Sequence, residues 1–333
     1  TKCTLYFNKT AKTVKTALGN IEVNSYTPDF TKSACDDSSC ESHEKGIFET
    51  TDNDGNPTYY YRGSVENNYV KFAGYFWRII RINSNGSIRM IYDGTSAHVN
   101  GESSTDRYYG ANQFNSTHDD NMYVGYMYTQ EEVHGTGVSS IIKIANDKFY
   151  ADKLSSYTSK LDTNAGFCGD RSTLSTQNGV GTAKEVTYYK GYLRVEESTP
   201  TLICENASDY YTVTSASVGN KKLSYPIGLI TADEVMLAGH GGGIFDGYMN
   251  HGEYNPISYL NIGYSFWTMT PVGYYIPYLS NFMESRVFNI YDTGMIGDYY
   301  VYSTEESLRP VINLKSNVVI TGTGTMTDPY IVN

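Results

Sequence analysis

The sequence predicts an α+β fold of antiparallel sheets with few helices and long loops, and three observations carry that expectation. Tyr69 to Ile82 (YVKFAGYFWRIIRI) and Ser87 to Tyr92 (SIRMIY) are rich in aromatic and β-branched residues and flank a turn containing Asn85-Gly86, the strongest hairpin signal in the chain. Arg309-Pro310-Val311-Ile312-Asn313-Leu314 alternates as a strand with one buried face does. Helical signals are confined to two segments, separated by stretches of Gly, Asn, Ser, Asp and Thr.

Residues 1–58 are polar and short of periodic apolar residues, and are expected to form an irregular N-terminal arm or connector. Thr51 to Pro57 (TDNDGNP) reads as a tight turn. Asp52-x-Asp54-Gly55 resembles the start of a calcium loop, but the downstream Glu is missing from its place. A single elaborated domain is expected over 59–333. In its lead hairpin Trp77, Ile79 and Arg81 share one face and Arg78, Ile80 and Ile82 the other. Both faces carry apolar groups, so the hairpin is expected at the centre of a sheet.

Residues 93–138 read as polar loop. Their His118-Asp119-Asp120 offers metal or acid–base chemistry, against which stands a solvated turn. Ser139 to Leu161 places apolar residues at 141, 142, 145, 149, 154 and 161, the spacing of an amphipathic helix. Residues 164–202 form another excursion of low periodicity. Tyr225 to Ile230 reads as a short strand feeding Thr231-Ala232-Asp233-Glu234. There the Thr hydroxyl can accept from the amide three residues on while Glu234 reaches back, capping a helix from Asp233 to Ala238 that stops at Gly239. Gly239 to Gly243 (GHGGG) follows a helix and is not followed by GK[ST], so a phosphate loop is set aside. Val318 to Ile320 and Asp328 to Val332 read as a last hairpin, with its final strand at a sheet edge.

The candidate site is the stretch 264–314. Phe266, Trp267 and Met269 lead into it and the strand from Arg309 leads out. Between Tyr264 and Tyr302 lie eight tyrosines, about twice the density of the whole chain with its 33 tyrosines in 333 residues. Tyrosine brings a large flat apolar ring, a hydroxyl and only two side-chain torsions, and the interleaved Gly, Ser, Asn and Asp add adaptable hydrogen bonds, the composition of antibody loops. The competing reading is ordinary aromatic packing in a sheet.

A net charge of -11 and the lack of a basic run argue against nucleic acid as a partner. Five cysteines leave one unpaired if disulfides form. Cys168 and Cys204 bracket the Gly/Ser/Thr-rich excursion and are expected to close it. Cys35 and Cys40 close a small loop, or one of them pairs with Cys3. The cysteines lack the spacings and partner histidines of a zinc site, and two disulfides imply export. No stretch is apolar enough to span a bilayer, and a start at Thr1 fits an export signal or membrane tether lying upstream. G-x-S-x-G, H-E-x-x-H, Walker and dinucleotide motifs are absent, and neither a cofactor nor a catalytic residue is expected.

The order Ile227 to Glu234, Phe266 to Pro271 (FWTMTP), Arg286 to Ile290 and Leu308 to Leu314 (LRPVINL) resembles the C-terminal part of C-type-lectin-fold proteins. It is similar to the branch related to formylglycine-generating enzymes, and the lead hairpin resembles an opening found in exported proteins of gut Gram-positive bacteria. That branch includes the variable proteins of diversity-generating retroelements. The resemblance implies a C-type-lectin-like frame including Trp267, Arg286, Phe288, Arg309 and Pro310, and a ligand-binding face of Tyr274, Tyr275, Tyr278, Asn281, Tyr291, Asp292, Asp298, Tyr299, Tyr300 and Tyr302. It also implies an extracellular or cell-surface protein whose partner is a protein or glycan on another surface. The alternatives are a fixed adhesin or filament subunit and an enzyme of formylglycine-generating type. The calcium-holding triplets of sugar-chelating lectins and the C-terminal cysteine pair of the oxidase are both missing.

Overall fold

A computed structural model describes residues 10–19, 21–36, 38–40, 42, 44–174, 184–214, 218–243, 250–277 and 280–332. The fold is mixed α+β and mostly sheet. Four α-helices are present among the described residues: α1 (Val14–Leu18), α2 (Ile141–Lys153), α3 (Lys190–Glu196) and α4 (Ala232–Leu237).

The main sheet has ten strands. At its centre Tyr75–Ile82 pairs with Ile88–Gly94, as the Asn-Gly turn requires, and Gly86 takes the left-handed φ of 79°. The strand expected over Tyr69 to Ile82 is instead two. Ala73 and Gly74 both have positive φ, 54° and 85°, and fold Tyr69–Phe72 back antiparallel onto Tyr75–Ile82. Two consecutive left-handed residues make the two-residue hairpin connection whose twist suits the flanking strands. The same edge of Tyr75–Ile82 then receives Pro57–Arg62, with Tyr59 opposite Ile82. Asn68 bridges the gap between these partners: its carbonyl accepts from Ile79 N at 2.8 Å and its amide donates to Ile79 O at 2.9 Å.

Three further expectations are corrected. Within the stretch read as an irregular arm, Lys12–Thr13, Gly46–Thr51 and the first residues of Pro57–Arg62 are strands of the main sheet, and Val14, Leu18 and Ile47 are in the core. Their apolar side chains are too few for a visible period, and long-range pairing decides the matter. Val311–Leu314 is buried on both faces and lies inside the sheet, between Ile88–Gly94 and Ile227–Gly228. The final strand, Tyr330–Val332, is likewise internal: it pairs antiparallel with Val319–Thr321 and parallel with Tyr69–Phe72.

The helices follow their capping chemistry. Ser140 accepts from Lys143 N at 3.2 Å and starts α2 two residues later than Ser139. After Leu154 the helix tightens into a 3-10 turn over Ser155–Lys160. Thr231 and Glu234 form the complete capping box of α4, and Gly239 follows it at φ 112°. Disulfides join Cys168 to Cys204 and Cys35 to Cys40, with Cα separations of 5.6 and 5.8 Å, and suit an oxidising compartment. Cys3 lies outside the described residues.

Seven arginines, Arg62, Arg78, Arg89, Arg107, Arg171, Arg286 and Arg309, are fully buried. Burial alone would drive such a charge out, so each must find acceptors. Arg309 shows how: Nη1 donates to Leu260 O at 2.7 Å, Nη2 to Tyr92 O at 3.0 Å, and Nη2 also meets Asp93, which Arg107 shares. Even so, burial lowers the Arg309 guanidinium to about 9.

Candidate functional site

A second, five-stranded sheet carries the tyrosine-rich segment, in the order Thr187–Tyr188, Phe266–Tyr275, Glu284–Ile290, Ile296–Tyr300, Asn250–His251. It is tied to the rest of the molecule by backbone bonds from Met269 N to Ile230 O at 2.8 Å and from Trp267 N to Ser307 O at 3.1 Å. Trp267, Val272, Val287, Phe288 and Ile290 are fully buried, and since Val287 and Phe288 are consecutive in one strand, both faces of the sheet carry apolar side chains.

At the end of the Ile296–Tyr300 strand stands a stack of rings. Tyr299 and Tyr300 have centroids 4.2 Å apart at 30°, Tyr300 and Tyr302 4.4 Å apart at 26°, and His118 tilts onto Tyr302 at 4.3 Å. The Tyr300 hydroxyl donates to that of Tyr299 at 3.3 Å, and the Tyr302 hydroxyl to Glu284 Oε1 at 3.2 Å. All three tyrosines are half-buried. A second stack runs Tyr192, Tyr188, Tyr275 at 5.0 and 4.8 Å.

The two stacks share a charged base. Arg286 donates from Nε to Asp298 Oδ1 at 2.9 Å and from Nη1 to Glu284 Oε2 at 3.1 Å. Tyr275 donates to Asp298 Oδ2 at 2.5 Å, and Tyr291 to the Asp298 carbonyl at 3.3 Å. Burial works against the Arg286 charge, but Asp298, Tyr275 and Glu284 together outweigh it and hold the guanidinium above its ordinary value. Burial together with Asp298 raises the Tyr275 hydroxyl well above the usual phenol range. The hydrogen bond shared with Tyr300 raises Tyr299, with burial and the carboxylates of Glu305 and Glu306 adding to it. Burial, against the Asn289 amide and with Glu305 and Asp292, pushes Glu306 up to about 7.

Of the residues named from the sequence, Tyr275, Tyr291, Asp298, Tyr299, Tyr300 and Tyr302 come together in this network. Asp298 is 1% exposed and Tyr274 4%, so neither side chain has area to offer a ligand. Asp298 serves as the counter-ion of Arg286, a role that a position among surface tyrosines does not announce. Asn281 and Asp292 are exposed, and Tyr278 lies outside the described residues. The ring of Tyr291 lies over Gly297, where any Cβ would come within 2.1 Å of it. Sequence reasoning missed Tyr188 and Tyr192, which arrive from another segment, and Glu284 within the stretch itself, and it weighed His118 only as metal or acid–base chemistry. The one local hint was the tyrosine-rich run from Tyr188 to Tyr192. Of the other residues weighed as chemistry, Asp119 pairs with Lys184 and Asp120 caps the turn at Asn121–Val124. Asp52 closes its own turn by accepting from Asp54 N and Asn56 N.

Ring faces stacked on one another are no longer available to a ligand; what such a stack presents is its edges and hydroxyls. Beside it Ile276 and Phe282 project into solvent, 57% and 72% exposed. The open cavities of about 570 and 500 Å³ lie elsewhere, the first beside Tyr69 and Asn100, the second between Tyr26 and Leu237. Among the described residues no group of three His, Cys, Asp or Glu side chains is arranged to hold a metal ion. Comparisons with protein-family models, with curated proteins and with solved structures found no match.

Proposed function

We propose that this chain is an exported recognition protein whose tyrosine face, centred on Tyr299, Tyr300 and Tyr302, binds a protein ligand on another surface. The observation that carries the reading is the half-buried ring stack standing on the Arg286–Asp298–Glu284 base. Its rings lose little entropy on binding, because stacking already holds them. A glycan stacks on open ring faces, which are largely taken up here, whereas exposed edges, hydroxyls and the neighbouring Phe282 suit a protein surface. In this reading the frame belongs to the C-type-lectin-like proteins of diversity-generating retroelements. The side chains free to vary are then Tyr275, Asn281, Tyr291, Asp292, Tyr299, Tyr300 and Tyr302, and the protein works at a cell surface or outside the cell.

Screening the purified protein against an array of surface proteins, alongside the Tyr299→Ala/Tyr300→Ala variant, tests the binding role. A ligand lost by a variant that still melts as one cooperative unit supports it. Ligands held equally by both proteins overturn it, and assembly that depends on protein concentration would point to a filament subunit. The gene's surroundings test diversification separately: a near-copy of the 3' end differing at adenines, beside a reverse transcriptase, is the expected finding.

A further inference from the structure

We infer that the chain holds a second ligand site, apart from the tyrosine face, which takes the ammonium of a free α-amino acid at Asp170 and its carboxylate at Arg81. Both side chains line one chamber of about 30 Å³, with Cys168 of the longer disulfide loop on its wall.

Strand register sets up the first half of the site. Arg81 and Arg89 are opposite one another on neighbouring strands, so two like charges stand on one face of the sheet. Glu234 answers both: its Oε1 lies 2.7 Å from Arg89 Nε and 3.3 Å from Arg81 Nε, while its Oε2 accepts from Thr231 N in the capping box. One carboxylate thus faces two guanidinium groups. Arg89 places its remaining donors on the carbonyls of Gly166 and Leu229, at 2.9 and 3.5 Å. The Arg81 side chain, 11% exposed, lacks such acceptors, and neither of its Nη groups donates a hydrogen bond among the described residues.

The same chamber holds the reverse imbalance. Arg194 donates to both oxygens of Asp233, at 2.7 and 2.8 Å, and also to Asp170 Oδ2, so one guanidinium faces two carboxylates. Asp170 is 4% exposed, and its Oδ1 is buried with no hydrogen bond among the described residues. Burial, with Asp233 and Asp209, pushes this carboxyl up to about 6 against the pull of Arg194. Asp170 is also held at the left-handed φ of 46°, a local strain of the kind that collects at ligand sites.

Water can hydrate both orphaned groups but balances neither charge. A zwitterion balances both. An ammonium group is about the size of a water molecule and fits the chamber, and a carboxylate matches the guanidinium fork. The rest of the ligand enters an adjoining cavity of about 210 Å³ that shares Arg81, Leu202 and Tyr210 with the chamber. Asp52 and Asp54 line that cavity beside asparagines, so it suits a neutral polar or basic side chain and repels a second carboxylate.

The test titrates L-asparagine and L-lysine into the purified protein in a calorimeter. Forms of each with the α-amine acetylated or the α-carboxylate amidated follow, and then L-aspartate. The wild-type protein is expected to bind at least one of the two parent amino acids, and to bind its modified forms and L-aspartate at least about tenfold more weakly. Arg81→Gln and Asp170→Asn should each weaken that binding about tenfold or more. Glu22→Gln, at an exposed acid outside the site, should leave it unaltered. The modified ligands are measured on the wild-type protein, so the result stands even where a variant fails to fold. Binding of neither parent, or equal binding of the acetylated or amidated form, overturns the inference. So does a crystal grown with the ligand that shows only water between Arg81 and Asp170.

Discussion

Arg286 and Asp298, on adjacent strands and each about 1% exposed, are joined by a bond of 2.9 Å from Nε to Oδ1, and a second bond runs from Nη2 to the Asp298 carbonyl at 3.0 Å. Tyr275 bonds the same Asp298 and Glu284 the same Arg286, so the pair sets the position of both. Removing one partner of a buried pair strands the other charge. Asp298→Asn is therefore expected to cost about 3–5 kcal/mol in urea unfolding. A loss below about 1 kcal/mol would show that Glu284 alone satisfies the arginine.

Ring stack and buried core should differ sharply. Tyr300→Ala removes two stacking partners, each worth about 0.5–1.5 kcal/mol, from a half-buried site. Phe288→Ala opens a cavity in the core at a cost of about 3–5 kcal/mol. Chemical denaturation of the two variants checks the order. If Tyr300→Ala proves the costlier, the ring belongs to the frame and not to the face.

The buried Glu306 gives stability a pH dependence. Its carboxyl is raised to about 7 from 4.5, so the folded state holds a proton that the unfolded state has released. Its contribution is complete below pH 4.5 and is lost as pH rises through about 7. Asp170, pushed up to about 6 by burial, slopes the same way. His240, lowered to about 4 by burial, slopes oppositely and loses stability as pH falls. Glu306→Gln should flatten the decline nearest neutrality. An unchanged pH profile in thermal melts would mean that the carboxyl is already ionised there.

Loss of the Cys168–Cys204 bridge releases a loop spanning 36 positions, for which chain entropy gives about 3–4 kcal/mol. The double Ser variant should unfold at correspondingly lower urea. The shorter Cys35–Cys40 loop is worth about 2 kcal/mol on the same basis. Equal effects of the two would argue against the entropic account.

Local chemistry was legible in the sequence. The Asn85-Gly86 turn, the Thr231/Glu234 capping box and the cysteines flanking the excursion each rest on interactions between near neighbours or on a simple count of partners. The chain's reversal at Ala73-Gly74 was hidden, because Ala is a poor announcement of a left-handed residue. Long-range pairing was hidden too: nothing near Tyr330 specifies Val70 as its neighbour. At the site, the tyrosine cluster could be read but its division could not. Tyr274 and Tyr275 are adjacent and chemically identical, yet one is buried and the other bonds Asp298, a difference decided by strands brought in from elsewhere.

The parallel pairing of Tyr330–Val332 with Tyr69–Phe72 joins strands far apart in the chain. During synthesis Tyr69–Phe72 is made well before Tyr330–Val332, the strand that covers one of its edges. Until then Tyr69–Phe72 has an open edge, a template for pairing with the wrong chain.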